Sequence, residues 1–265
     1  TFRDVAALAN SGEVPIVVHG GGAEASRWLE AMQIPSRFER GLRVTDERVL
    51  PVVVAVFAGL VNKRIVAAIN AAGASAVGLC GADGRTLECR LADPALGFVG
   101  EPVAVHPEAV MALHAAGIVP VIGPIGFVPG KETDQLVNIN ADTVAGNLAA
   151  AVGASRLVFL TDVEGVRGAD GTVVRRLTGK DARSLIADGT VGGGMIPKVR
   201  TALDALGRGV PQVRIVNLGG LSDGGGTTFE SEPDTSMDDQ NSTSGKQYAG
   251  TANGAVADFI SNSRH

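Results

Sequence analysis

Five short apolar runs punctuate the chain: Val14–Val18, Ala76–Leu79, Ile118–Ile122, Leu157–Leu160 and Val213–Val216. Each is rich in β-branched residues and bounded by glycine or polar turns. Runs of this length without polar alternation predict strands covered on both faces. Between most of them the apolar positions take up helical spacing in alanine-rich stretches, Asp46 to Ala72, Pro107 to Ala116, Ala141 to Val152 and Pro197 to Leu206. The alternation predicts an α/β class, a three-layer αβα sandwich around a mainly parallel open sheet. Two segments depart from it. Leu87–Leu91 with Phe98–His106, and the pair flanking Pro129-Gly130-Lys131, have the turn chemistry of β-hairpins that decorate the main sheet.

From about Glu230 the pattern ends. The composition turns to Ser, Asp, Asn, Thr and Gly, with almost no large apolar residue before Phe259 and Ile260. Such a segment cannot bury enough surface to offset the entropy of ordering it. Residues 230–265 are therefore expected to be a disordered low-complexity tail, and residues 1–229 the folded domain.

The 265 residues suffice for one large domain or two modest lobes. A formal net charge of −5, with no block of like charges, leaves no electrostatic footprint for nucleic acid or an anionic membrane. No uninterrupted apolar run approaches the ~20 residues that cross a bilayer, and Thr1-Phe2-Arg3-Asp4 is not a signal peptide. Cys80 and Cys89, the two cysteines, have neither a CxxC pairing nor a histidine neighbour. They read as reduced thiols rather than a disulfide or a zinc site, and no metal-ligand set is expected. The class that remains is a cytoplasmic protein holding a small acidic molecule at local basic or glycine-rich positions.

Five segments carry candidate chemistry. His19-Gly20-Gly21-Gly22 follows the first strand and opens a helix. At the carboxyl end of a parallel strand, consecutive glycines let backbone N–H groups approach a phosphate or carboxylate. His19 itself reads as a turn residue rather than a general base. Gly41-Leu42-Arg43-Val44-Thr45-Asp46 places an arginine fork, suited to a carboxylate, before a long helix that Thr45 or Asp46 can cap. Leu136-Val137-Asn138-Ile139-Asn140-Ala141-Asp142 runs from a strand into a helix, so two amides and a carboxylate converge. Leu160-Thr161-Asp162-Val163-Glu164-Gly165-Val166 leaves another buried strand. Gly192-Gly193-Gly194-Met195-Ile196-Pro197-Lys198 is a glycine run opening a helix with a lysine in its first turn. There the lysine opposes the helix dipole unless an anion is present. The chain has five lysines in all, so the placement of Lys198 is informative.

These motifs, with Asn62-Lys63 and the closing Gly225-Gly226-Thr227, occur in the order found in the amino acid kinase superfamily. The chain resembles that superfamily from about Thr1 to Phe229 and, within it, the N-acetylglutamate kinases. The resemblance implies the carbamate kinase-like fold and a γ-phosphoryl transfer from ATP, with Mg2+, to the side-chain carboxylate of N-acetyl-L-glutamate in arginine biosynthesis. Residues 1–140 would form the amino-acid lobe and 141–229 the nucleotide lobe. By the same resemblance, Lys198 and Asp142 would be catalytic, and Gly20, Gly21, Gly22, Arg43, Asn138 and Asn140 would bind the substrate. Asp162, Val163, Gly165, Val166 and Arg167, with Thr190, Gly192, Gly193 and Gly194, would bind the nucleotide.

Members of the family begin with a strand bearing Lys-x-Gly-Gly, whereas this chain starts in what reads as the following helix, and no lysine precedes Lys63. A homodimer or higher homo-oligomer is implied, with the apolar stretch Asp46 to Ala72 as a candidate contact. Two other readings remain open. One is a kinase for aminoadipate held on an acidic carrier protein, which Gly59-Leu-Val-Asn-Lys-Arg64 and a basic rim of Arg37, Arg40 and Arg64 would suit. The other is a non-catalytic nucleotide-binding subunit. A dinucleotide-binding oxidoreductase is excluded, because no GxGxxG follows a strand.

Overall fold

The computed structural model describes residues 2–221 and 224–230, and the backbone of 258–262. Helix α1 (Phe2–Asn10) leads into β1 (Ile16–His19), which α2 (Gly22–Ala31) follows almost at once. A small ribbon, β2 (Phe38–Glu39) and β3 (Leu42–Arg43), precedes one continuous helix in three parts. These are α3 (Val49–Val54), a π-helical turn (Ala55–Val61) and α4 (Asn62–Ala71). Then come β4 (Ala76–Cys80), β5 (Leu87–Leu91), β6 (Gly100–Val105) and α5 (Glu108–Ala115). Strands β7 (Val119–Gly123), β8 (Ile125–Val128) and β9 (Gln135–Asn138) lead to α6 (Ala141–Ala151) and β10 (Arg156–Thr161). The chain continues through β11 (Arg176–Thr178), α7 (Gly179–Ala187) and α8 (Met195–Gly207). It closes with β12 (Gln212–Asn217), β13 (Thr227–Glu230) and β14 (Asp258–Asn262).

The main sheet has the order β11-β13-β12-β10-β14-β1-β7-β4, parallel throughout except for β12 against β13. Its strands alternate faces residue by residue. Ile16, Val18, Leu157, Phe159, Val213 and Ile215 pack against α6, α7 and α8. Val17, Val158, Leu160 and Val216 pack on the other side with Val5 and Ala6 of α1 and Ile69 of α4. Helices on both faces explain why the strands read as unbroken apolar runs. All five expected strands and all four expected helices are present.

Two expectations need correction. The two hairpins do form, but rather than decorating the main sheet they join into a separate four-stranded sheet, β6-β5-β8-β9. The cause is local: only Pro124 separates β7 from β8, so the chain leaves the plane of the main sheet at once. The expected disordered tail is also wrong at both of its described parts. Glu230 is paired in β13, and 258–262 forms a strand in the middle of the main sheet, parallel to β1 on one side and β10 on the other. Composition undervalued this segment because its backbone gains two ladders at once. Residues 231–257 and 263–265, the rest of that tail, lie outside the described residues. The helix Val49–Ala71 has the length and composition to cross a membrane, but Asn62, Lys63 and Arg64 interrupt its apolar run, so the expectation of no uninterrupted apolar stretch of that length holds.

Strand register sets where the loops emerge. His19 at the end of β1 and Leu160 near the end of β10 are both in register with Asn262. The glycine loop and the Thr161–Val166 loop thus leave the same edge of the sheet at the same height, two strand spacings or about 10 Å apart. The π-helical turn matters at this edge. In an α-helix, residues five apart point about 140° away from each other, whereas an i→i+5 turn brings them round to nearly one face. Phe57 accordingly lies against Gly21, and Asn62 reaches under the sheet edge. The fully buried Asn62 carboxamide donates to Val121 O at 2.9 Å in β7, to Leu79 O at 3.2 Å in β4 and to His19 Nε2 at 3.1 Å in β1.

Replacing Asn62 by leucine, similar in size, strips those acceptors of their donor. It is expected to lower the unfolding free energy in urea by about 2–4 kcal/mol. An unchanged denaturation midpoint would show that water replaces the amide at no cost.

Candidate active site

A cleft at this sheet edge is lined by Gly20, Gly21, Gly22, Phe38, Gly41, Leu42, Arg43, Phe57, Val99, Pro124, Asn138, Ile139, Asn140 and Ala141. Every residue expected to bind the amino-acid substrate is in this set. Three loops supply them: the turn from β1 into α2, the ribbon β2–β3, and the passage from β9 into α6. The small second sheet forms the far wall, where Val99 bridges to Asn138.

Arg43 is buried and held by its surroundings. Its guanidinium donates to Gly22 O and Ser26 Oγ, both at 2.8 Å, and to Ser36 Oγ, and it stacks 4.5 Å from the centre of the Phe38 ring. Desolvation lowers its pKa from the ordinary arginine value. A carboxylate entering the cleft would therefore meet a cation already oriented and partly stripped of water. Asn138 donates to Thr45 Oγ1 at 3.1 Å, and Thr45 in turn donates to Arg43 O. Asn140 is the N-cap of α6, its side-chain oxygen accepting from Thr143 N at 3.1 Å. That bond satisfies the capping requirement, and Asp142, one residue into the helix, is left for other work.

Asp142 and Lys198 form a buried ion pair, Nζ to Oδ2 3.1 Å, joining the first turns of α6 and α8. The two residues that the resemblance implied to be catalytic thus meet, adjacent in sequence to the cleft wall at Ala141. Lys198 lies one helical turn beyond Gly192, Gly193 and Gly194, all of them exposed.

The expected nucleotide residues divide into two kinds. Asp162 and Val163 are exposed beyond the end of β10, whereas Gly165 and Val166 are buried. Val166 N donates to Thr227 Oγ1 at 2.8 Å, and a Cβ on Gly165 would come within 2.7 Å of that oxygen. Gly165 and Val166 therefore anchor the loop. Arg167 ion-pairs with Glu164 and donates to Gly171 O. Thr190 donates its N–H to Asp188, which holds that carboxyl below its usual pKa.

His19 is the group whose importance the sequence understated. It is 1% exposed, its Nδ1 lies 2.7 Å from Gly20 O, and burial lowers its pKa to about 4. It is neutral at pH 7 and is no proton acceptor for the cleft. Phe57, the apolar wall, was hidden inside a long apolar helix with no local signal of its own, and Asn62, which supports His19, stood in the Asn62-Lys63 motif with no role attached to it. Both cysteines are buried free thiols, pushed up to about 11 for Cys80 and about 12 for Cys89 by desolvation.

The chain is similar to known proteins in sequence and in fold. A model of the amino acid kinase family matches residues 1–217. The chain is 49% identical over 228 residues to the acetylglutamate kinases of Brucella canis and of a Chelativorans species. The match covers 81% of this chain and 76% of each relative. Among solved structures, smu.665 of Streptococcus mutans superposes with a TM-score of 0.76 at 28% identity, covering 86% of this chain and 91% of that one. The N-acetylglutamate synthase of Neisseria gonorrhoeae, solved with coenzyme A and N-acetyl-glutamate, gives 0.73 at 25% identity, over 88% of this chain and 56% of that one. The carbamate kinase of Giardia lamblia, at 16% identity and a TM-score of 0.64 over 87% of this chain and 88% of that one, shares the fold.

His19 also makes stability depend on pH. Its folded pKa of about 4 lies below the ordinary 6.5, so the unfolded chain binds the proton more readily. The stabilisation is complete above pH 6.5 and is lost as pH falls toward 4, by on the order of 3 kcal/mol. Urea unfolding of wild type and of His19→Asn at about pH 7 and pH 4.5 isolates this contribution. Wild type is expected to show the steeper loss, and equal losses would mean that His19 titrates normally.

Proposed function

The chain belongs to the amino acid kinase family, and on that premise we propose how it acts. It transfers the γ-phosphoryl group of ATP to the side-chain carboxylate of N-acetyl-L-glutamate, giving N-acetylglutamyl phosphate, a step of arginine biosynthesis. The observation that carries the reading is the convergence of Gly20–Gly22, Arg43 and Asn138 on one cleft, beside the buried Lys198–Asp142 pair.

The chemistry fits these groups. A substrate carboxylate is already ionised at neutral pH and needs no general base, in keeping with a neutral, buried His19. One of its oxygens forms a bond to the γ-phosphorus while the bond to the β-bridging oxygen breaks, and ADP leaves. The protein's part is to position the two anions and to offset charge as the phosphoryl group moves. Arg43 and Asn138 hold the α-carboxylate and acetamido end of the substrate, with Asn140 alongside. Backbone N–H groups of Gly20 to Gly22 face the transferring group. Lys198 balances its negative charge, and Asp142 keeps that ammonium aimed. The exposed glycines Gly192–Gly194, with Thr190, and the loop Asp162–Arg167 take the nucleotide, so 1–140 serve the amino acid and 141–229 the nucleotide. Mg2+ brought with ATP would offset negative charge during the transfer. Among the described residues no group of three or more His, Cys, Asp or Glu side chains is gathered for a metal.

Two of the three arginines that would form a basic rim for a carrier protein are already engaged with carboxylates. Arg40 pairs with Glu39 and Asp93, and Arg64 with Glu24. This favours free N-acetyl-L-glutamate over a carrier-bound substrate. The helix Val49–Ala71 presents Pro51, Val52, Ala55, Val56 and Leu60 around Trp28 and Met32, which are 41% and 50% exposed. A second copy covering this groove makes the protein a homodimer at least. ATP as the donor and the free thiols of Cys80 and Cys89 support a cytoplasmic setting.

Trapping the acyl phosphate with hydroxylamine tests the activity. The wild-type protein is expected to give ATP-dependent hydroxamate from N-acetyl-L-glutamate, and ATP binding without hydroxamate would leave a non-catalytic subunit. Arg43→Lys should raise the Michaelis constant for the amino acid tenfold or more with little change for ATP. Lys198→Met should lower kcat by about 10²–10³ at near-constant Michaelis constants. An unaltered constant in either variant would remove that residue from its role.

A further inference from the structure

The hydrogen bonds around Asn62 determine a proton position at the cleft. Asn62 Nδ2 faces Val121 O, Leu79 O and His19 Nε2, while Oδ1 faces Lys63 Nζ at 3.0 Å. Carbonyl oxygens only accept and an ammonium only donates, so the carboxamide has one possible orientation. The amide nitrogen therefore donates toward Nε2, and Nε2 must be the bare nitrogen of the ring. The ring proton sits on Nδ1 and is donated to Gly20 O at 2.7 Å. Lys63 is fixed as well, because it also donates to Gly78 O at 3.0 Å, and a Cβ on Gly78 would lie 1.8 Å from Asn62 Oδ1.

Holding the Gly20 carbonyl has a consequence across the peptide plane. All described peptide bonds are trans, so the Gly21 N–H points opposite to the Gly20 C=O. The same peptide is confined from the other side by Phe57, whose Cδ1 would lie 2.9 Å from a Cβ on Gly21. Phe57 and Asn62, at the two ends of one π-turn, thus fix this unit between them.

We propose that His19 is a positioning residue: its Nδ1–H, assigned by Asn62, holds the Gly20 carbonyl and so aims the Gly21 N–H at the oxygen of the transferring phosphoryl group. The inference rests on the kinase reading and adds to it a residue that touches neither substrate. The histidine acts through tautomer and position, with no proton exchanged in the reaction.

Three substitutions separate positioning from packing. An asparagine side chain can place its amide nitrogen where Nδ1 was, a glutamine reaches the position of Nε2, and alanine reaches neither. Turnover of His19→Ala is expected to fall 10- to 100-fold, with the Michaelis constant for ATP within twofold of wild type. His19→Asn should recover at least tenfold of that loss and His19→Gln should not. Thermal unfolding of each variant identifies any loss due to misfolding, which would lower Asn and Gln variants alike. Independently, 15N NMR of the imidazole should show Nδ1 protonated and Nε2 bare between about pH 5 and 8. Equal activity of the Asn and Gln variants, full activity of the Ala variant, or a proton on Nε2 would overturn the inference while leaving the kinase reading in place. A wild-type protein that makes no acyl phosphate would overturn the kinase reading, and this role with it.

Discussion

One buried carboxamide, that of Asn62, ties the ends of three parallel strands together, and the cleft depends on that tie. At the carboxyl edge of a parallel sheet the last carbonyls lose their ladder partners, and a buried carbonyl without a donor costs free energy. Asn62 supplies donors to β4 and β7 and steadies the histidine that ends β1. No α-helical register presents both Phe57 and Asn62 to this edge, which is why the long helix widens into a π-turn between them. The poorer geometry of that turn is offset by the hydrogen bonds that it makes possible.

The site is assembled from distant segments because parallel strands all point their carboxyl ends one way. The glycine loop after β1 and the loop after β10, at Gly20 and Asp162, arise 142 residues apart in sequence, yet register places them on one edge. Between these halves sits the Asp142–Lys198 pair. A buried ion pair gains little net stability, since desolvating both charges consumes most of the attraction. Its presence at the starts of two packed helices, where a cation is locally disfavoured, makes sense as a fixed charge for an anionic ligand. Exposed pairs such as Arg90–Glu101, by contrast, are screened by solvent and position nothing in the cleft.

Much of this was legible in the chain. Apolar runs gave the strands because a sheet covered on both sides leaves no polar alternation, and motif order brought Gly20–Gly22, Arg43, Asn138, Asp142 and Lys198 to one region. What escaped was set by tertiary context. A π-turn changes the rotation of later residues without changing the apolar pattern of Ala55–Val61, so neither Phe57 nor Asn62 declared its role. The hairpins had the right turn chemistry, but whether they joined the main sheet depended on Pro124. Strand β14 came from a stretch whose composition argued against order, because two-sided backbone pairing is invisible to composition.

The division of the Asp162–Arg167 loop shows how a motif can mix contact with support. Gly165 is required by Thr227, since any side chain there would collide with its hydroxyl, and Val166 is bound to that hydroxyl through its backbone. Thr227 is placed in turn by the segment before β13, where Arg214 on β12 donates to the carbonyls of Gly220 and Gly225. The position of the loop after β10 is thus set from the far end of the folded domain. Glycine and threonine recur at these points for steric and hydrogen-bonding reasons, leaving exposed Asp162 and Val163 as the part of the motif able to touch a nucleotide.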